Sequence, residues 1–141
     1  MNSFTNALGL DIGAARIGVA RVNSIARLPE PLCVLKNDES FTTQLDVLVK
    51  EHGIDLIVVG RPRNMKGETT HQTEEILKFT HDMNMDVPIV FQDETLSTVK
   101  ASMYKSKAFA HIEDAVEAAI ILEDFVNESN DDTYREINGS V

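Results

Sequence analysis

The sequence predicts an α/β domain built on a mixed five-stranded sheet with helices on both faces. Three short apolar segments come first, with no helix-like segment between them. Strand-like and helix-like segments then alternate, which is the order that packs helices against a sheet. The segment 55–60, D-L-I-V-V-G, is almost continuously aliphatic, as expected of a strand that is covered on both faces.

The first 35 residues predict three strands in a meander. Apolar runs at about 7–11 and 16–22, within A-L-G-L-D-I-G-A-A-R-I-G-V-A, predict a pair of antiparallel strands. Gly13, between the two runs, can adopt the positive φ that tight turns use. Residues 28–31, L-P-E-P, interrupt the pattern, and 32–35 predict the third strand.

Helical periodicity and strand-like runs define the rest of the chain. The predicted elements are a helix at 39–51 capped by Asp38, a strand at 55–60, a helix at 69–83, a strand at 87–91, and helices at 96–107 and 112–126. Gly53 follows the first of these helices and supplies a left-handed residue to end it.

The charge of the chain is unevenly distributed. The net charge of −10 argues at first against a polyanionic partner. Residues 123–141 carry half of it, −5, so the remainder is less acidic than the whole. We predict a folded domain at 1–126 and a disordered acidic tail at 127–141, because the tail has little apolar surface to bury. We expect its charge to repel RNA or to compete with it.

Composition also indicates the cellular compartment. Cys33 is the one cysteine and cannot form an internal disulfide, which suits a reducing environment. No apolar run approaches the roughly 18 residues of a membrane span. The start, M-N-S-F-T-N, lacks the basic and apolar regions of a secretory signal. We therefore expect a cytoplasmic protein without a membrane span.

Asp11 is the first candidate for chemistry. It lies between Leu10 and Ile12 near the end of the first strand, where a carboxylate is costly unless it is paired, hydrogen-bonded or bound to a metal. An ion pair with Arg16 or a backbone hydrogen bond would explain it structurally. The Asp-x-Gly turn with Gly13 also occurs at phosphate sites of sugar kinases and actin-like ATPases, although those enzymes clasp the nucleotide between two domains.

Three further acids are candidates. Asp93 and Glu94 follow a predicted strand, either as an N-cap and a first-turn acid of the next helix or as site residues at the carboxyl end of that strand. Asp114 lies on the apolar side of the last helix, at its start. Glu113, Glu117 and Asp124 lie on the other side, where we expect them to be solvated.

The segment after Gly60, R-P-R-N-M-K-G, concentrates cations at the end of a strand. Arg61, Arg63 and Lys66 lie within six residues and precede a helix N-terminus. Cations and free backbone donors together suit a phosphate group. A solvated basic loop is the structural alternative.

Four motifs in this order resemble the YqgF/RuvX family over about residues 7–126. They are L-G-L-D-I-G-A-A-R-I-G-V-A, I-V-V-G-R-P-R-N-M-K-G, D-E-T-L-S-T and D-A-V-E-A-A-I-I-L. The family has a ribonuclease H-like fold and is proposed to trim the 5′ end of pre-16S rRNA. It has also been described as a candidate Holliday junction resolvase.

The resemblance implies roles for particular residues. It makes Asp11, Glu94 and Asp114 the catalytic and metal-binding acids, supported by Asp93 and Gly13. It assigns substrate binding to cations and an amide in two segments, namely Arg16, Arg61, Arg63, Asn64 and Lys66. Mg²⁺ or Mn²⁺ suits such oxygen ligands, and two ions would hydrolyse the phosphodiester bond.

This chain departs from the family at several positions. Ala15 stands where the family usually has a basic residue, and Thr95 stands where it has an arginine. Arg61 and Arg63 replace apolar residues. The substrate-binding surface is therefore expected to be rearranged, while the three acids are present.

The partner implied is nucleic acid, namely precursor rRNA or a pre-ribosomal particle. The protein would be a monomer or a weak homodimer. The alternatives are a Holliday junction resolvase-like DNase and a catalytically silent RNA-binding or assembly factor. The net acidic charge and the lost cations support the silent factor.

Overall fold

The structure is a computed structural model that describes residues 3–61, 71–94 and 112–139. Five strands and three helices lie in these ranges. They are β1 (Asn6–Ile12), β2 (Arg16–Asn23), β3 (Glu30–Lys36), α1 (Phe41–Glu51), β4 (Leu56–Arg61), α2 (His71–Met83), β5 (Ile89–Asp93) and α3 (Glu113–Gly139). The helix predicted at 96–107 lies outside the described residues.

The strands form one sheet in the order β3-β2-β1-β4-β5. The pairs β1–β2 and β2–β3 are antiparallel, whereas β4 is parallel to both β1 and β5. The predicted mixed five-stranded sheet is therefore confirmed. The carboxyl ends of β1, β4 and β5 meet at one edge, which is where open α/β sheets bind ligands.

Side-chain alternation along the strands separates two apolar layers. On one face, Leu8 and Leu10 of β1 belong to a core cluster with Phe41 and Leu45 of α1 and Ile76 of α2. This arrangement places α1 and α2 together against that face of the sheet.

The opposite face of the sheet is covered by α3. Ala7 and Ala20 pack in a second cluster with Leu122 of α3. A Cβ on Gly9 would lie 2.6 Å from the Cγ of Leu122, so the absence of a side chain there lets the helix approach β1. Helices on both faces of the sheet are thus confirmed.

Two predicted turns have different outcomes. Gly53 has a φ of 60°, as predicted for the residue that ends α1. Gly13, which is able to adopt a positive φ, does not do so, since Gly53 is the positive-φ glycine among the described residues. Its backbone N–H instead donates to the carbonyl O of Arg16 at 2.9 Å, which closes the β1–β2 turn.

Two element starts differ from the sequence-based boundaries. Helix α1 begins at Phe41 because Asp38 accepts hydrogen bonds from the backbone N and Oγ of Ser40, at 2.9 and 2.5 Å, and so closes the preceding turn. Strand β5 begins at Ile89 rather than at residue 87, since Pro88 has no N–H for a strand ladder. Asp93 is consequently the last residue of β5.

Helix α3 departs most from the prediction. It was expected to end at Val126 before a disordered tail, but it continues to Gly139. No Gly or Pro occurs between Val126 and Gly139, and extending an existing helix is much less costly than nucleating one. Asp124, expected to be solvated, is 4% exposed. Within the three described ranges, none of the helices has the length and apolarity needed to span a membrane.

Candidate active site

The candidate site lies at the carboxyl ends of β1, β4 and β5. Asp11 is half-buried near the end of β1, and its partner in β2 is Gly18. On the other side, Leu10 pairs with Val59 of β4, so Gly60 comes next to Asp11. A glycine therefore flanks Asp11 on each neighbouring strand. The missing side chain at each glycine leaves room for another acidic residue, namely Glu94 at Gly60 and Asp114 at Gly18.

Gly60 admits Glu94. The strands β1 and β5 lie about 10 Å apart, because β4 separates them. Glu94 follows β5, and its backbone N–H donates to the carbonyl O of Arg61 at 2.9 Å. A Cβ on Gly60 would lie 2.9 Å from the Oε1 of Glu94. The Glu94 side chain thus crosses β4 over Gly60 and reaches Asp11, with which it forms a hydrogen bond.

Gly18 admits the first turn of α3. A Cβ on Gly18 would overlap the backbone carbonyl of Asp114, so only glycine lets the helix start so close to β2. This approach brings Asp114 to the end of the sheet that holds Asp11. The Asp114 carboxylate itself forms an ion pair with Arg16, with 3.1 Å between Nε and Oδ2. Arg16 thus pairs with Asp114 and not with Asp11, so the ion pair that was the structural alternative for Asp11 is not formed.

The electrostatics of Asp11 are dominated by burial and by other acids. Desolvation, then the charge of Glu94 and a hydrogen bond to it, then the charges of Glu117 and Asp114, raise the pKa of Asp11 to about 7. Burial and the charge of Glu117 also raise the pKa of Glu94, while its hydrogen bond with Asp11 opposes that shift. Below about pH 7 the Asp11 carboxyl therefore holds a proton, which it can donate in a hydrogen bond to Glu94.

Glu117 is the residue that the sequence analysis missed. Its side chain is exposed, as expected, but its charge acts on both Asp11 and Glu94. Residues three apart are neighbours on a helix, so its spacing from Asp114 was the available signal. We name Asp11, Glu94, Asp114 and Glu117 the acidic site.

Arg61 and Asp93 form a pair at the same end of the sheet as the acidic site, but from strand positions on the opposite face. The Nε and Nη2 of Arg61 both donate to the Oδ1 of Asp93 at 2.7 Å. Asp93 is therefore placed to hold Arg61 rather than to join the other acids. Of the predicted substrate-binding residues, Arg16 and Arg61 are described and both are ion-paired. Arg63, Asn64 and Lys66 lie outside the described residues.

The acidic site has the chemistry of a divalent-cation site without its final geometry. Among the described residues, no three His, Cys, Asp or Glu side chains are arranged to hold a metal ion. The carboxylate of Asp114 is directed to Arg16, while the Asp11 and Glu94 side chains are hydrogen-bonded to each other. Four carboxyl groups near one guanidinium nevertheless form the oxygen-rich donor set that hard divalent cations prefer. The residues present therefore fit such an ion.

Comparison with known proteins places the chain in a family. A family model described as "RuvX: Holliday junction resolvase" matches residues 5–128. A relative from Dehalococcoides mccartyi is 32% identical over 127 residues, which cover 84% of this chain and 96% of that protein. One from Chloroflexus aurantiacus is 34% identical over 131 residues, covering 85% of each. Both carry the name "Putative pre-16S rRNA nuclease".

Solved structures show the same fold at low sequence identity. Thermus thermophilus RuvC in complex with a Holliday junction substrate has a TM-score of 0.57 at 12% identity, covering 89% of this chain and 96% of that one. The fowlpox virus resolvase bound to Holliday junction DNA has a TM-score of 0.53 at 11% identity, covering 88% and 98%. The fold is therefore the ribonuclease H-like fold of these resolvases, and the chain belongs to the RuvX (YqgF) family of nucleases.

Proposed function

We propose that this protein is a divalent-metal-dependent endonuclease that cleaves phosphodiester bonds at the 5′ end of pre-16S rRNA. The observation that carries the proposal is the Asp11–Glu94 carboxyl pair, which meets across β4 only because residue 60 is a glycine. A fold gains little stability from two desolvated acids in contact. Their placement is explained if a cation replaces the shared proton.

The acidic site would hold Mg²⁺ or Mn²⁺. Asp11, Glu94 and Asp114 are the proposed ligands, and Glu117 adds negative charge beside them. When bound, a pair of such ions supplies activation of the attacking water and stabilisation of the leaving 3′ oxygen. For Asp114 to become a ligand, its carboxylate must be released by Arg16, which is 69% exposed.

Cations at the edge of the site would position the substrate. Arg16 in β2 and Arg61 in β4 lie on either side of β1, at the end of the sheet that holds the acidic site. Guanidinium groups there suit phosphate oxygens. Arg63, Asn64 and Lys66 are proposed to extend this surface. Asp93 holds the guanidinium of Arg61 at a fixed place. Gly13, through its hydrogen bond to Arg16, fixes the turn from which Arg16 projects.

Metal binding and cleavage, measured on the same preparations, test the proposal. Calorimetric titration with Mn²⁺ should give a site in the wild type that is lost in Asp11→Asn. Wild-type protein with Mg²⁺ should cut an RNA carrying the 5′ precursor segment of 16S rRNA, and Asp11→Asn should not. Glu113→Gln is the matched control, since it changes an exposed acid of the same helix turn for which no influence on Asp11 is found.

A parallel substrate distinguishes the alternatives. A four-way DNA junction of equal length, offered under the same conditions, tests a resolvase-like activity. Cleavage of the junction in preference to the RNA would overturn the proposed substrate but keep the nuclease. RNA binding that needs no metal, with no cleavage of either substrate, would identify a silent binding factor and overturn the proposal.

A further inference from the structure

A cavity of about 320 Å³ lies at the carboxyl end of β1, on the face of the sheet opposite the acidic site. Its apolar walls are the side chains of Ile12, Ile76 and Phe79. Ile12 is the residue after Asp11, and successive strand side chains point to opposite faces of the sheet. The cavity and the acidic site are therefore back to back, separated by the end of β1.

The aromatic wall of the cavity is held in place. The ring of Phe79 packs against Phe41 of α1, with centroids 5.5 Å apart and an interplanar angle of 44°. Phe41 is buried, whereas Phe79 is only half-buried and lines the cavity. A ring that is fixed from behind can present its free surface to a planar ligand at little entropic cost.

The rim of the cavity is polar. Gly13, Ala14, Asn37 and Glu75 complete its lining. The Nδ2 of Asn37 donates to the carbonyl O of Gly13 at 2.7 Å, which orients the amide. The amide oxygen of Asn37 and the carboxylate of Glu75 are acceptors, and each has lone pairs for more than one donor. Apolar walls with a few polar groups at the rim are typical of small-ligand sites.

A cation lies on the same face of the sheet. Continuing the parallel register from the Leu10–Val59 pair places Arg61 beside Ile12. Asp93 forms an ion pair with Arg61, whose side chain is 40% exposed. A ligand with a planar ring in the cavity could thus place an attached phosphate near Arg61.

We propose that this cavity, which we call the base pocket, binds one unpaired nucleobase of the substrate strand, next to the phosphate that enters the acidic site. Apolar walls, a fixed aromatic ring and acceptors at the rim match a base with its amino or imino donors. A base in a duplex or an intact junction is stacked and paired, so it cannot enter. The proposal rests on the proposed nuclease function and makes its substrate single-stranded at the cleavage position.

Filling the base pocket tests the proposal. Ala14 is exposed at the rim, so Ala14→Phe should occupy the pocket without disturbing the core. Ala26→Phe is the matched control, since Ala26 is an exposed residue in the loop after β2, at the other end of that strand. The probe is a fluorescent 12-nucleotide single-stranded RNA, with the same sequence as a duplex for comparison. Binding is measured by anisotropy without divalent ions, so that no cleavage occurs.

We expect Ala14→Phe to weaken binding of the single strand about tenfold, the usual effect of losing one stacked base. The affinity of Ala14→Phe for the duplex should equal that of the wild type. The Ala26→Phe variant should bind both RNAs with wild-type affinity. Phe79→Leu, which keeps an apolar wall but removes the ring, should give a smaller loss. Equal affinity of Ala14→Phe and wild type for the single strand would overturn the proposal, provided that both have the same thermal midpoint.

An abasic series locates the base. One nucleotide at a time is made abasic along the RNA, and one position should lower wild-type affinity about tenfold but have no further effect in Ala14→Phe. Equal sensitivity at all positions would overturn the base pocket. Because these are binding measurements, a protein that shows the expected pattern but does not cleave would overturn the proposed function alone. Cleavage of the RNA with no such pattern would overturn the base pocket alone.

Discussion

The two ends of the sheet treat an aspartate in opposite ways. Asp55, just before β4, accepts backbone hydrogen bonds from Thr5 at 2.8 Å and from Asn6 at 3.0 Å. Asp11, at the other end of β1, has Glu94 as its hydrogen-bond partner and further acids nearby. The first arrangement stabilises a carboxylate with backbone dipoles, whereas the second destabilises it. We call these the structural end and the catalytic end of the sheet.

Two arginines at the structural end are also paired. Arg27 donates to the backbone carbonyl of Val126 at 2.9 Å. Arg21 pairs with Glu30 at 3.3 Å and with the Nδ1 of His52 at 3.0 Å. Each of these charges has a partner of suitable chemistry, so its replacement should alter stability. At the catalytic end, replacing an acid should alter activity.

The largest expected effect is the contrast between Asp11→Asn and Asp55→Asn. Asp11→Asn should reduce metal-dependent cleavage to background. It should raise the thermal midpoint of the metal-free protein near pH 7, because Asn needs no proton on folding whereas the Asp11 carboxyl does. Asp55→Asn should keep its activity when folded and lose about 2 kcal/mol of unfolding free energy, since charged hydrogen bonds are lost. Cleavage rates and thermal unfolding of both variants measure the contrast. A wild-type rate in Asp11→Asn would remove Asp11 from the active site.

Gly60→Ala should come next in size. A methyl group there would meet Ile121 and the Glu94 carboxylate, so it should separate Glu94 from Asp11 and lower the cleavage rate about a hundredfold. Gly9→Ala is the matched control, because it meets only α3, at Leu122 and Ala118. Both variants should lose stability. Equal activity per folded molecule in the two would show that the crossing over β4 is not required.

A third contrast lies within one turn of α3. The sequence alone predicts loss of activity in Asp114→Asn and little change in Glu117→Gln. The structure adds the charge of Glu117 to the acidic site, so we now expect Glu117→Gln to lower cleavage about tenfold at limiting Mg²⁺. Glu113→Gln should be silent. The cleavage rate measured against Mg²⁺ concentration checks this. Identical curves for Glu117→Gln and Glu113→Gln would show that Glu117 is a solvated residue without a role in the acidic site.

The pH dependence of stability should be set by Asp11. Its pKa rises from 3.8 to about 7 on folding, so the folded protein holds a proton that the unfolded chain has released. The free energy of unfolding of the metal-free protein should therefore decrease from about pH 4 to pH 7 and change little from this group above that. Partial exposure limits the loss to about 2 kcal/mol. In denaturant unfolding across this range, the free energy of unfolding should depend less on pH in Asp11→Asn than in the wild type. The same pH dependence in both proteins would contradict the raised pKa of Asp11.

Deleting residues 127–141 should have the smallest effect. The helix α3 begins at the catalytic end and reaches Val126 at the structural end, about 20 Å along its axis. The deletion changes the net charge from −10 to −7. The shortened protein should therefore bind RNA slightly more tightly than the full-length protein at low salt, and equally well near 0.15 M salt. The competition with RNA expected from sequence would instead give a large effect. Affinities across a salt series, with the thermal midpoint as control, distinguish the two.

The sequence by itself determined the elements of the fold and predicted the candidate acids. Strand and helix patterns depend on neighbours within a few residues, so hydrophobic periodicity located all the described elements to within a few residues at their starts. Gly53 ended α1 for the same local reason. Asp11, Glu94 and Asp114 came from their positions at strand and helix ends, strengthened by a resemblance that spans nearly the whole chain.

Only the tertiary structure decided how these acids meet. Gly60 and Gly18 flank Asp11 because β4 and β2 are the neighbours of β1, an order that no local pattern specifies. The charge of Glu117 acts on the site because α3 begins close to the sheet, although its side chain is exposed. Arg16 forms its ion pair with Asp114 because the first turn of α3 lies against β2. Pairings between residues far apart in sequence depend on packing, and local periodicity contains no information about that.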